Sequence, residues 1–220
     1  MPQRVAVWDV PVRLFHWALA ILVVFSFVTG KLGGNWMAWH VRSGFCILTL
    51  LLFRIAWGVV GSSTARFSGF VRGPRAVLAY ARALLARQPP HLAGHNPLGG
   101  WMVVAMLLML LVQVTSGLFA DDEISTQGPL SIKASSAFVA RMNWVHEFNK
   151  WVIVAAASLH VIAIAAYQWG LNVNLIGPMV HGGSADTPGA KAGSNVVAAI
   201  LLAVSAAFVY WLVVVYPRHP

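Results

Sequence analysis

Four histidines stand inside or at the ends of apolar runs: His16, His40, His146 and His160. Neutral imidazole is a ligand for iron, copper and zinc, and ionisable side chains at membrane depth mark ion, proton or electron pathways. Any one of these residues alone is more simply an interfacial or hydrogen-bonded structural histidine; their spacing makes them a set. His146 and His160 lie fourteen residues apart. On a helix that spacing is a rise of ~21 Å and about 40° short of four full turns, so both side chains leave nearly the same face.

The elements that must carry them are membrane helices. Of 220 residues, 59% are hydrophobic and only 10% charged, against about 25% charged in an ordinary soluble domain, and the mean hydropathy is +0.73. Tryptophans such as Trp36, Trp39, Trp101, Trp144 and Trp169 flank the apolar runs, as indoles do at a membrane–water boundary. Five runs reach the ~20 residues needed to cross the hydrocarbon layer: Val12–Thr29, Ala38–Val60, Pro97–Phe119, Val145–Trp169 and Asn195–Tyr216. Pro97 sits in a first turn, where it is tolerated, and Ser194 or Asn195 can cap the last helix. The first run lacks a small-residue cleavage site and reads as a retained helix. The net charge of +9 does not imply nucleic-acid binding, because Arg66, Arg72, Arg75, Arg82 and Arg87 gather in one loop without an acid. Such a loop faces the cytoplasm. This puts the N-terminus in the cytoplasm and the acidic loop Asp121-Asp122-Glu123 outside. Within the arginine loop, Pro74–Leu85 has an amphipathic pattern suited to the membrane surface. The lone Cys46 allows no disulfide and no covalent haem attachment, and is expected to be a small buried residue.

With that orientation the histidines sort into two layers. His40 and His146 open inward-running helices on the outer side; His16 and His160 share the inner side. Two imidazoles on opposite faces of a porphyrin give six-coordinate iron, which suits electron transfer because no position is left for oxygen or substrate. Zinc prefers four ligands around one centre, and a proton relay needs carboxylates beside the histidines, which the helix interiors lack. Arg54, fourteen residues after His40, reaches the inner layer, where it either pairs with a haem propionate or snorkels to the surface. Arg13, Arg42 and Lys150 are weaker candidates of the same kind. His95 and Asn96 open the third helix and either bond a propionate or quinone headgroup or cap the helix. Gly30, Gly44, Gly99, Gly100 and Gly117 permit close approach to a porphyrin or ordinary small-residue packing. His91, His181 and His219 lie in loops or the tail and are assigned no role.

The segment Trp8-Asp9-Val10-Pro11-Val12-Arg13-Leu14-Phe15-His16-Trp17 resembles the opening of prokaryotic cytochrome b561 proteins. His40, Leu52-Phe53-Arg54-Ile55-Ala56-Trp57-Gly58-Val59-Val60-Gly61, Gly94-His95-Asn96-Pro97 and Trp144-Val145-His146-Glu147, with His160 beyond, extend the resemblance over roughly residues 5–180. It implies an all-α integral membrane protein whose four-helix transmembrane bundle holds two b haems through His16, His40, His146 and His160. Residues 1–180 are then the di-haem transmembrane domain and 181–220 an additional C-terminal transmembrane helix, a departure from the minimal bundle. The implied function is electron transfer between membrane quinol or quinone and a periplasmic redox partner such as a c-type cytochrome, steered by the acidic loop. Two alternatives are a membrane-anchor b subunit of a larger oxidoreductase such as hydrogenase, and a superoxide:quinone oxidoreductase. A non-redox membrane protein using its histidines for packing is a third. Expected contacts are membrane lipid, quinone and the redox partner, with homo-oligomer formation allowed and nucleic acid excluded.

Overall fold

The structure, a computed structural model, describes residues 4–5, 7–86, 88, 94–122, 126–183, 185–186 and 191–218. It is helical nearly throughout. In chain order the elements are β1 (Arg4–Val5), α1 (Val10–Leu32), α2 (Met37–Val60), α3 (Phe67–Phe70), α4 (Pro74–Leu85), α5 (Pro97–Phe119), α6 (Ser136–Ala165), α7 (Ile176–His181), β2 (Ala185–Asp186) and α8 (Asn195–Tyr210). Among the described residues five helical segments are long and apolar enough to cross a membrane: Val10–Leu32, Gly34–Val60, Pro97–Phe119, Ser136–Gly170 and Asn195–Arg218. β1 and β2 form a two-residue antiparallel pair, Arg4 opposite Asp186 and Val5 opposite Ala185.

The helix ends follow local chemistry. Asp9 caps α1, its Oδ1 accepting the Val12 N–H at 2.8 Å. A 3-10 turn, Gly34–Trp36, joins α1 to α2, and Gly33 and Gly34 take φ of 65° and 51°, values that a side chain would oppose. Asn96 caps α5 through its Oδ1 to the Gly99 N–H at 2.8 Å. Ser194 caps α8, its carbonyl accepting the Ala198 N–H at 3.0 Å. The amphipathic stretch Pro74–Leu85 is a helix as expected, burying Tyr80. Two expectations need correction. The fourth spanning helix starts at Ser136, not Val145. Its first turns carry Arg141 and Asn143, so it outruns the apolar stretch that marks the hydrocarbon layer. Cys46 is exposed, not buried, because it lies on a face of α2 that the described residues leave uncovered.

The chain divides into two compact units. One comprises Met1–Leu14, Arg54–Met106 and Ala156–Ala199; the other comprises Phe15–Phe53, Leu107–Ala155 and Ile200–Pro220. The first is built around Asp9. Its Oδ2 accepts the Trp57 indole N–H at 3.1 Å and the Ser62 hydroxyl at 2.6 Å. Trp57 is 1% exposed. The end of α7 and residues after it are tied to the same unit: Arg13 Nη1 donates to the Val180 carbonyl at 2.7 Å, the Trp8 N–H to the Gly182 carbonyl and the Ser63 N–H to the Lys191 carbonyl. The Tyr80 and Tyr167 hydroxyls meet at 2.9 Å; burial, then this bond, pushes the Tyr80 phenol above its ordinary pKa. The second unit has an apolar interior of α1, α2, α5 and α6 residues, including Phe15, Leu48, Leu51, Leu110 and Ile153.

Trp57→Ala empties the space beside Asp9 and is expected to lower stability by about 3–5 kcal/mol, whereas Trp57→Phe keeps most of the ring volume and costs less. Denaturation of the detergent-solubilised variants measures the difference.

Candidate functional site

His40 near the start of α2 and His146 in α6 meet inside the second unit. Their ring centroids are 6.0 Å apart with planes at 88°. His40 Nδ1 is 2.8 Å from the Ser26 carbonyl oxygen, and His146 Nδ1 is 3.0 Å from the Gln113 carbonyl oxygen. A carbonyl can only accept, so each Nδ1 carries the hydrogen. That fixes the tautomer on both rings and leaves each Nε2 lone pair as the donor to a metal. Two metal–nitrogen bonds of about 2 Å across one ion put imidazole centres about 6 Å apart, the separation seen here.

The two rings sit in matching cradles. On α1, Ser26 offers its carbonyl to His40, and Gly30 lies four residues on. A Cβ at Gly30 would stand 2.8 Å from His40 Nδ1. On α5, Gln113 offers its carbonyl to His146, and Gly117 lies four residues on. A Cβ there would stand 2.9 Å from His146 Cε1. Each helix therefore presents one carbonyl and, a turn later, the gap into which the ring fits. A serine hydroxyl lies 3.2 Å from each Nδ1: Ser26 Oγ at His40 and Ser116 Oγ at His146. The His146 side carries a further clamp. Gln113 Nε2 donates to the His146 carbonyl at 3.1 Å, and Asn149 Nδ2 donates to Gln113 Oε1 at 2.8 Å and to the Met109 carbonyl at 2.9 Å.

The other expected residues are distributed as follows. His16 belongs to the second unit, half-buried, with its ring edge-on to Trp17 at 5.0 Å. His160 is half-buried on α6 in the first unit. Arg54 in the first unit is 2% exposed, which removes the snorkelling alternative. Its guanidinium lies over Phe67 at 5.1 Å and Phe70 at 6.0 Å, and its Nη1 is buried without a hydrogen-bond partner among the described residues. Arg13 is spent on the Val180 carbonyl, Arg42 on the Trp39 ring, and Lys150 on Glu147 and Trp151. His95 is held between the rings of Trp8 and Phe70, at 4.4 and 4.5 Å, and Asn96 is the helix cap. Gly44 faces open space, Gly99 faces the Asn96 amide and Gly100 faces the Phe70 carbonyl. Asp121 and Asp122 form a turn, with Asp122 Oδ1 accepting the Thr126 N–H; Glu123, Arg87, His91 and His219 lie outside the described residues. Ser26, Gln113, Ser116 and Asn149 are the residues that sequence reasoning missed. The signal available for two of them was a polar side chain in an apolar run with glycine four residues later.

Among the described residues no three His, Cys, Asp or Glu side chains gather as a metal-binding group. Paired imidazoles without further protein ligands fit an ion whose remaining positions are filled by another molecule, as in a porphyrin. The family model described as prokaryotic cytochrome b561 matches residues 7–182. The chain belongs to the prokaryotic cytochrome b561 family. This cytochrome is therefore an electron-transport protein of the membrane, crossing it more than once, and haem b is its cofactor. It is similar to a protein from Bradyrhizobium diazoefficiens described as a probable Ni/Fe-hydrogenase B-type cytochrome subunit. The two are 26% identical, covering 81% of this chain and 85% of the relative. Proteins of the same description from Rhizobium leguminosarum bv. viciae and Azotobacter chroococcum mcd 1 are each 25% identical, covering 82% and 81% of this chain and 88% and 87% of theirs. No solved structure gives a significant match.

Gly30→Ala and Gly117→Ala drive a methyl group into the facing imidazole. Haem content of the purified cytochrome is expected to fall in both variants.

Proposed function

We propose that this cytochrome is a di-haem electron conduit, with His40 and His146 as axial ligands of one haem b and His16 and His160 of a second. The observation that carries the reading is the His40–His146 pair: ring centres 6.0 Å apart and both Nδ1 atoms committed to carbonyls. Bound between such rings, haem supplies a one-electron iron couple. His40 and His146 orient their Nε2 lone pairs, and the helices around them exclude water. For the second pair the support is the fourteen-residue step from His146 to His160 on α6 and the resemblance of the His16 segment to the family's opening. Arg54 is the counter-ion for a propionate of that second haem. The support is its buried guanidinium, whose Nη1 has no hydrogen-bond partner among the described residues.

The chain works as the membrane-anchor b subunit of a larger oxidoreductase, passing electrons between that partner and membrane quinone. The support is the hydrogenase-subunit description carried by relatives that align over most of their length. It lies in the bacterial inner membrane with its N-terminus in the cytoplasm, as the arginine loop requires. The exposed Asp122, beside Asp121, favours a second reading in which a basic c-type cytochrome docks on the opposite side.

Haem-to-protein stoichiometry is expected to be two. His40→Ala and His146→Ala each remove one haem, the same one, and His16→Ala or His160→Ala removes the other; full haem content in any of these variants overturns the ligand assignment. Near-perpendicular ligand planes give low-spin ferric haem a strongly anisotropic EPR signal. At least one such signal is expected in the oxidised protein, and it should vanish in His146→Ala.

A further inference from the structure

Each of the two facing imidazoles has two oxygens at its Nδ1. For His40 they are the Ser26 carbonyl at 2.8 Å and the Ser26 hydroxyl at 3.2 Å. For His146 they are the Gln113 carbonyl at 3.0 Å and the Ser116 hydroxyl at 3.2 Å. Because the carbonyls force the hydrogen onto Nδ1, the hydroxyl oxygens at the same atoms are acceptors. The equality of the two hydroxyl distances is not a product of shared sequence context. Ser26 supplies both oxygens itself, whereas on α5 the carbonyl comes from Gln113 and the hydroxyl from Ser116, one turn on. Different residues thus build the same second contact on the two rings, and Ser116 is 1% exposed, so water cannot replace it. We infer that the hydroxyls of Ser26 and Ser116 are paired positioning groups that set the reduction potential of the haem between His40 and His146.

The inference rests on the proposed ligation of that haem. An acceptor at Nδ1–H draws the hydrogen away from the ring and makes Nε2 a stronger donor to iron. Stronger donation favours the ferric over the ferrous state and lowers the potential. Removing a hydroxyl acceptor therefore raises it. The two sides differ in size of effect. Ser116 Oγ also donates to the Gln113 carbonyl at 2.9 Å, the same oxygen that accepts from His146. Deleting Ser116 frees that carbonyl to bind Nδ1–H more tightly, which opposes the loss. Ser26 has no such compensation on the His40 side.

The test is a spectroelectrochemical titration of the purified holoprotein and of Ser26→Ala, Ser116→Ala and Ser26→Thr. Ser26→Ala is expected to raise the reduced-to-oxidised ratio of one haem at fixed potential about threefold, roughly 30 mV at 59 mV per tenfold. Ser116→Ala should move the same haem in the same direction by less, and Ser26→Thr should restore the parent value. The second haem's potential stays where it was. With haem content intact, an unmoved or lowered potential in Ser26→Ala overturns the inference, as does an equal shift of both haems. Should Ser26→Ala lose haem, Ser116→Ala and Ser26→Thr carry the test: a downward shift in the first, or a displaced potential in the second, counts against it. The ligation reading fails separately, through retention of both haems in His40→Ala or His146→Ala.

Discussion

An imidazole N–H inside hydrocarbon has no water to bond, and leaving it unpaired costs several kcal/mol. In this protein that need is met by the second lone pair of a helix carbonyl, at Ser26 for His40 and at Gln113 for His146. Much of the surrounding architecture follows from those two bonds. They fix the tautomer, and so decide which nitrogen of each ring keeps its lone pair. They bring each ring hard against a helix backbone, which is why the residues beneath are Gly30 and Gly117. They also require α2 to lie against α1 and α6 against α5 at a single register. The short glycine turn through Gly33 and Gly34 supplies the first pairing. The second is supplied by Asn143, whose side chain exchanges two hydrogen bonds with the Asp121 backbone, and by the Gln113–Asn149 clamp.

The two units handle polar groups differently. In the second, amide and hydroxyl groups bond backbone carbonyls, and the histidines are held by neutral partners. In the first, a carboxylate gathers donors from three places: the α1 backbone, the Trp57 indole and the Ser62 hydroxyl. A half-buried carboxylate satisfied in this way is a local organiser, because any displaced partner removes a hydrogen bond to a charged group. The same unit holds Arg54 under two phenylalanine rings. A cation so enclosed is costly, and the attraction of the Asp9 carboxylate in the same unit offsets part of that cost. Gly182 and Lys191, ahead of α8, are bonded to this unit at Trp8 and Ser63.

For electron transfer the value of such holding is rigidity. Iron between two imidazoles changes charge without changing coordination, and the protein around it must change as little as possible. Rings wedged over glycine and bonded at Nδ1 have little freedom to tilt. The planes of His40 and His146 are near-perpendicular, and each ring is held by its own helix carbonyl.

Hydropathy alone located the five spans, since a 20-residue apolar run has few stable alternatives in a polar solvent. The His146–His160 interval and the opening segment around His16 were enough to indicate the family. Helix ends beyond the hydrocarbon were not legible: α6 begins at Ser136 because polar residues such as Arg141 and Asn143 continue a helix as readily as apolar ones outside the bilayer. Nor was the exposure of Cys46, since an apolar run does not declare which of its faces packs against protein. For Arg54 the sequence leaves propionate pairing and snorkelling open, and only its burial under Phe67 and Phe70 excludes the second. Residue type and helical period thus determined which side chains could ligate and how far apart they stood along α6. The rotation of each helix about its axis was decided by tertiary contacts, and with it which carbonyl meets which ring and which serine completes the pair. Those contacts join residues such as Gln113 and His146 that lie far apart in the chain, and no local spacing encodes them.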